Sequence, residues 1–312
     1  LSSSSAASDV YKRQVSGNLA MKILIAGANG HLGRRFIERF GAEYDLIALV
    51  RSPAAAEVLF QLPCQVAIVA YGDTQQMSRL AEGAEVLINL TGIIKATKSN
   101  PYQKAHEETA AALVAACQRA GVPRILTLGI CGSDLSSKNA CFASRAKAES
   151  IQLEGLPGST VLRVPMVLGE GDYASRALLG NARKRFALTF RAESLEQPIY
   201  AGDVIKALGI LLAQPSAGVL ELGGPESVSR RALIHRCAQA NGDRKPRVIS
   251  LPVGLGYLIA GFFEVVLASP PVTRAMLELL DHDDQIESET AAELNLTLTP
   301  LSDVLRQIGE SV

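Results

Sequence analysis

The chain has 312 residues, 48% hydrophobic and 20% charged, enough apolar side chain to bury a full core and too much for a disordered chain. Lys plus Arg balances Asp plus Glu at 31 each, so no global field points to nucleic acid, and no nucleic-acid partner is expected. The five cysteines (Cys64, Cys117, Cys131, Cys141 and Cys237) are odd in number and form no Cys-x-x-Cys pair, which argues against a disulfide framework or a metal site and for a reducing, cytoplasmic setting.

Residues 1–20 are rich in Ser and Ala, carry no hydrophobic period and lack the continuous apolar core of a signal peptide. They are expected to be a non-native or disordered tail. From Met21 the sequence MKILIAGANGHLGRRF runs an apolar strand (Ile23 to Ala26) into Gly27, Gly30 and Gly33, and then a helix with Leu32, Phe36, Ile37 and Phe40 on one face. Strand, glycine turn and helix in that order make a pyrophosphate site, because backbone N–H groups and the positive end of the helix dipole face the phosphates. The spacing Gly-x-x-Gly-x-x-Gly is one residue wider at its first step than the common fingerprint. A plain tight turn is the alternative; the legible strand and helix on either side favour the dinucleotide. Gly27, Asn29, Gly30, His31, Leu32, Gly33 and Arg34 are the expected contacts.

Short apolar runs then alternate with helices, the pattern of a doubly wound parallel α/β sheet. Strands are predicted at 22–26, 45–50, 65–69, 86–90, 124–128 and 160–164, and helices near 33–40, 74–81, 102–120 and 143–153. The second strand ends in Val50-Arg51-Ser52 with no acid at its tip. An acid there would accept from the ribose hydroxyls of NAD, whereas Arg51 and Arg34 suit a 2′-phosphate, so NADP(H) is favoured over NAD(H). Asp73, after the third strand, fits an adenine contact and an N-cap equally well. Asn89-Leu90-Thr91-Gly92 closes the fourth strand, where Gly92 lets backbone pass close to a ribose and Asn89 and Thr91 offer polar groups.

Beyond Pro165 the rhythm changes. Strands are predicted at 197–200, 219–222 and 247–251 and helices at 204–213 and 229–239. The Rossmann domain is therefore set at 21–165, with 198–222 a candidate to return to it, and a smaller mixed lobe for substrate or partner at 166–312. The apolar stretch Val253–Ala268 is shorter than the ~20 residues a spanning helix needs and contains Glu264. It reads as an amphipathic helix, buried or docked on a membrane or an apolar partner.

Gly27-x-x-Gly30-x-x-Gly33, Val50-Arg51, Gly72-Asp73, Asn89-Leu90-Thr91-Gly92 and Arg145-Ala146-Lys147-Ala148-Glu149 occur in order, followed by Pro198-Ile199-Tyr200-Ala201-Gly202-Asp203-Val204 and Glu221-Leu222-Gly223-Gly224-Pro225. Together they resemble the extended, atypical short-chain dehydrogenase/reductases (NAD(P)-binding Rossmann), most of all bacterial relatives of the Rossmann-type accessory subunit of respiratory complex I. The resemblance implies an NAD(P)-binding domain with a C-terminal substrate lobe. It also implies a catalytic Tyr four residues before a Lys, and a Ser from an earlier loop. Lys147 matches the lysine, leaving it a ribose contact, but Ala143 stands at the tyrosine position and Gly129 at the serine. Tyr102, Tyr173, Tyr200, His106, Cys131 and Cys141 are the candidate substitutes. The expected function is an NAD(P)(H)-binding protein whose cofactor is structural, sensory or supports a complex. An NADP(H)-dependent oxidoreductase or isomerase, and an accessory factor peripheral to an inner-membrane complex, are the alternatives; the substrate or protein partner is unknown.

Overall fold

The computed structural model describes residues 20–266, 273–279, 283–287 and 289–310. Residues 1–19 of the predicted tail, and Leu267 and Ala268 of the apolar stretch, lie outside them. Seven strands form one parallel sheet: β1 (Lys22–Ala26), β2 (Asp45–Val50), β3 (Gln65–Ile68), β4 (Val86–Asn89), β5 (Ile125–Ile130), β6 (Thr160–Val164) and a late strand, Gly218–Glu221. Their spatial order is Gly218–Glu221, β6, β5, β4, β1, β2, β3. The order reverses between β1 and β4, which pair through Ile23↔Val86 to Ala26↔Asn89. In an open α/β sheet that crevice at the carboxyl ends of the strands is where ligands bind.

The strands are legible because helices cover both faces of the sheet, so the central ones carry unbroken apolar runs. Ile23, Leu24, Ile25 and Ala26 are each at most 1% exposed, and burial of such a side chain is worth ~1.5–3 kcal/mol. On one face α1 (His31–Phe40) lays Phe36, Ile37 and Phe40 beside Val204, Leu208 and Leu211. On the other, α3 (Thr74–Ala81) and α4 (Thr109–Ala120) bring Met77, Leu113 and Cys117 onto Leu24, Leu49 and Leu87. A short helix, α2 (Pro53–Glu57), capped by Ser52, follows β2.

Helix starts differ from the sequence expectation where a cap was not read. The helix before β6, α5 (Ala140–Gly155), begins three residues earlier than 143 because the Asn139 side chain accepts hydrogen bonds from the N–H groups of Cys141 and Phe142 at 2.8 and 3.1 Å. The predicted helix over 102–120 is helical throughout, but a wide π turn, Lys104–Glu108, interrupts it before α4. Gly121, in the left-handed region at φ +73, ends α4.

The remaining chain adds β7 (Val167–Leu168), α6 (Tyr173–Ala182), β8 (Phe186–Phe190), β9 (Leu195–Glu196), β10 (Ile199–Tyr200), α7 (Ala201–Ala213), β11 (the Gly218–Glu221 strand), β12 (Val228–Ser229), α8 (Arg230–Ala240), β13 (Arg247–Leu251), α9 (Val253–Val266), α10 (Arg274–Leu279), α11 (Glu289–Glu293) and α12 (Leu301–Glu310). A second core gathers Leu178, Leu233, Cys237, Val304 and Ile308 from α6, α8 and α12. Asp203, fully buried in α7, ties this region down by accepting from the Thr299 N–H at 2.6 Å and the Thr299 hydroxyl at 3.0 Å. Among the described residues no helix is long and apolar enough to cross a membrane.

Candidate functional site

The glycine turn is shaped by contacts that exclude side chains. Gly27 sits at φ +79, and a Cβ there would lie 2.8 Å from the Leu90 backbone carbonyl. A Cβ on Gly33 would lie 2.5 Å from the Ala28 carbonyl oxygen, so the first turn of α1 packs directly on the loop. Gly30 is the N-cap of α1, with no side chain capping the helix. The α1 N-terminus therefore faces the β1/β4 crevice with its dipole and its first N–H groups unclaimed by any side chain, the arrangement that receives a phosphate.

Tyr71 is a part of this turn that the sequence reading missed. Its hydroxyl accepts from the Gly27 N–H at 2.8 Å and donates to the Leu49 carbonyl at 3.2 Å, pinning the loop to β2. Burial raises its pKa. The Arg51 guanidinium lies 5.7 Å from the Tyr71 ring centre, at the end of β2. Arg34 and Arg51 are both exposed, and neither makes an ion pair among the described residues. Asp73 is the N-cap of α3, its Oδ1 accepting from the Gln76 N–H at 2.9 Å. Asn29 and Leu32 flank the loop mouth, exposed and half-buried. His31 accepts at Nε2 from Arg35 Nε at 2.9 Å, and burial, then Arg35, lowers its pKa. Arg35 also pairs with Glu170, which in turn accepts from the Tyr200 hydroxyl at 2.7 Å.

At the ends of β4 and β5 a second group of polar residues surrounds a small cavity lined by Asn89, Thr91, His106, Arg145, Glu149 and Gln152, among others. Asn89 Oδ1 accepts from the Thr91 N–H at 3.1 Å and the Thr91 hydroxyl at 2.6 Å, which orders the Asn-Leu-Thr-Gly turn. Gly92, at φ +148, lies so close to Arg145 that a Cβ would fall 1.9 Å from the guanidinium. Arg145 Nη1 donates to the Thr91 carbonyl at 3.3 Å, and its buried Nε has no partner. Burial lowers the Arg145 pKa against the opposing pull of Cys141 and Glu149. His106 sits with Nε2 3.2 Å from the Ile93 nitrogen and a buried, unpartnered Nδ1. Burial and Arg145 push its pKa down to about 3, so the ring is neutral.

Lys147 does not join this cluster. It is exposed, while Arg145, Ala148, Glu149 and Gln152 of the same helix line the cavity. Two residues on an α-helix are about 200° apart, so Arg145 and Lys147 cannot share a face. The residue one turn before Arg145 is Cys141, fully buried, its thiol directed at the Ile93 carbonyl at 3.6 Å. At Gly129 a Cβ would lie 2.7 Å from Glu149 Oε1, so the Glu149–Arg163 ion pair (2.6 Å) occupies the space a serine side chain would need. Burial raises the Glu149 pKa despite Arg163.

The other candidates for a proton donor scatter. Tyr102 stacks on His106, ring centres 5.6 Å apart, and donates to the Ile94 carbonyl at 2.7 Å. Tyr200 is held by Glu170, Tyr173 is 80% exposed, and burial raises the Cys131 thiol pKa strongly. Among the described residues no cluster of three or more His, Cys, Asp or Glu could hold a metal ion.

A parallel sheet with an uncapped glycine-loop helix at its switch point defines a dinucleotide-binding Rossmann protein. Residues 27–153 match the family model described as NAD(P)H-binding, and the chain carries an NAD(P)-binding Rossmann domain. It is 27% identical over 243 residues to ceramide reductase of Caulobacter vibrioides, across 77% of this chain and 76% of that protein. It is 25% identical over 276 residues to the mitochondrial NADH dehydrogenase [ubiquinone] 1 alpha subcomplex subunit 9 of Arabidopsis thaliana, across 80% of this chain and 64% of that subunit. In fold it is similar to a nucleoside-diphosphate-sugar epimerase of Staphylococcus aureus, with a TM-score of 0.72 at 17% identity, across 92% of this chain and all of that one.

Proposed function

We propose that this chain binds NADP(H) as an atypical short-chain dehydrogenase/reductase in which the usual tyrosine and serine are replaced, with the cofactor held structurally, as a sensor, or in support of a complex. The observation that carries the reading is the α1 N-terminus, uncapped by any side chain and opening at the β1/β4 crossover behind a glycine turn that admits no Cβ at Gly27 or Gly33. The loop N–H groups between Ala28 and Gly33, apart from that of Gly30, which donates to the Gly27 carbonyl, hold the pyrophosphate. Arg34 and Arg51 meet the 2′-phosphate, and Asn89, Thr91 and Gly92 border the ribose nearer the nicotinamide. Arg145, rather than Lys147, supplies the cation at that end. The lobe beyond residue 165, less the segment 198–222 that returns to the sheet, covers the mouth. Bound NADPH would supply a hydride; Arg145 would orient a ribose or carbonyl oxygen, and His106, its pKa pushed down to about 3, is neutral and no cationic acid.

The match to a ceramide reductase favours a second reading, a reductase acting on a ceramide-type lipid. Tyr102, stacked on the cavity-lining His106, would be its proton donor. Tight NADPH binding with no oxidation in the presence of ceramide-type and simple carbonyl substrates supports the first reading. Turnover that is abolished by Tyr102→Phe, with NADPH binding kept, supports the second.

A further inference from the structure

A surface remote from the glycine loop combines exposed apolar side chains with a concentrated positive charge. Strands β8 and β13 form a two-stranded parallel ribbon in the register Arg247↔Phe186, Ile249↔Leu188 and Leu251↔Phe190. Alternation sends Ala187 and Val248 inward to the core under α6 and α8. The other face carries Phe186, Leu188 and Ile249, which are 46%, 57% and 37% exposed. Helix α9 starts two residues after β13 and lies against the far end of the ribbon, its Gly256 close to the Phe190 ring. It adds Leu255 and Leu258, the latter 75% exposed.

The basic residues gather at the opposite end of the ribbon. Arg183, Lys184 and Arg185 lead into β8, and Arg244, Lys245 and Arg247 lead into or open β13. Because the strands run parallel and in register, the two runs lie side by side, joined where the Arg247 N–H donates to the Arg185 carbonyl at 2.9 Å. All six are exposed, and Asp243, 3.9 Å from Arg183, is the carboxylate paired with one of them. In a chain whose total charge is zero, this is a local excess that the rest of the molecule must balance elsewhere.

We propose that this face docks on an anionic lipid bilayer. Leu188, Ile249, Leu255 and Leu258 enter the interfacial region while the six cations meet lipid phosphates, the two-signal chemistry by which peripheral proteins hold a membrane. Nucleic acid would use the cations but leave the apolar face wet. The proposal is independent of the cofactor reading.

The test is flotation of the full chain with vesicles of phosphatidylcholine alone or mixed with phosphatidylglycerol, at low and high salt. Binding to the anionic vesicles is expected to exceed binding to the neutral ones by at least about tenfold and to weaken with salt. The double reversal Lys184→Glu/Lys245→Glu abolishes that preference. Leu188→Ser/Leu258→Ser weakens binding and leaves the salt dependence in place. An unchanged melting temperature shows that each variant is folded. Equal binding to both vesicle types, no binding to either, or full binding by the charge-reversed variant would overturn the proposal. So would a self-association removed by Leu258→Ser in a chain that ignores vesicles, which would assign the face to a second copy.

Discussion

Replacing Gly30 with aspartate separates cofactor binding from folding. Gly30 is the N-cap of α1 with extended backbone, φ −68 and ψ 169, and a Cβ there would meet only the Gly27 carbonyl oxygen, 3.1 Å away. That backbone suits aspartate at an N-cap, which improves on glycine by about a few tenths of a kcal/mol. A negative charge at the helix start adds ~0.3–1 kcal/mol. The same carboxylate occupies the place where the pyrophosphate meets the loop. Two unit charges about 4 Å apart at an effective dielectric of about 20 repel by about 4 kcal/mol, roughly a thousandfold in affinity. The chain contains no tryptophan, so the fluorescence of NADPH can be titrated against a dark protein background. The dissociation constant is expected to rise by roughly three orders of magnitude while the melting temperature holds or rises by ~2–4 °C per kcal/mol gained. Unchanged affinity in Gly30→Asp would refute the placement of the phosphates.

Other consequences follow from the same contacts. His106 has its pKa lowered from 6.5 to about 3, so the folded state binds fewer protons than the unfolded chain between those values and loses stability as pH falls. From pH 7 to pH 5 the loss is about 2 kcal/mol. Urea midpoints should show it in the wild type and not in His106→Leu, and equal losses in both would remove His106 as the cause. Asp203→Ala strips the Thr299 N–H and hydroxyl of their acceptor and should cost about 3 kcal/mol, lowering the melting temperature while leaving NADPH affinity alone. Arg51→Ala should lower affinity for NADPH about tenfold and for NADH little, since it removes a charge-assisted contact to the 2′-phosphate only; an equal effect on both would place Arg51 elsewhere.

Much of the fold is legible because its central strands are buried on both faces and several apolar runs end at a glycine, an asparagine or a proline, as at Gly27, Asn89 and Pro165. Strands 22–26, 45–50, 160–164 and 247–251 fall where the pattern puts them. The helix over 140–155 is less legible: Asn139 caps it through its own side chain, a local bond that no hydrophobic period records. The site divides the same way. The glycine loop announces itself, because close backbone contact demands glycine at fixed places. Which of Arg145 and Lys147 lines the second cavity does not, because Arg-Ala-Lys offers two cations and the choice depends on which faces the sheet. The spacing held a signal in Cys141, Arg145 and Glu149, which recur every four residues and so share one helical stripe. Tyr71 left none, since its bond to Gly27 joins residues 44 apart.

Native mass spectrometry of the freshly purified chain tests the central claim most directly. The account predicts one dinucleotide per chain, NADPH or NADP⁺, carried by the wild type and lost in Gly30→Asp. A chain that carries no nucleotide and takes up none when NADPH is added, or one whose Gly30→Asp variant keeps it, would contradict the account.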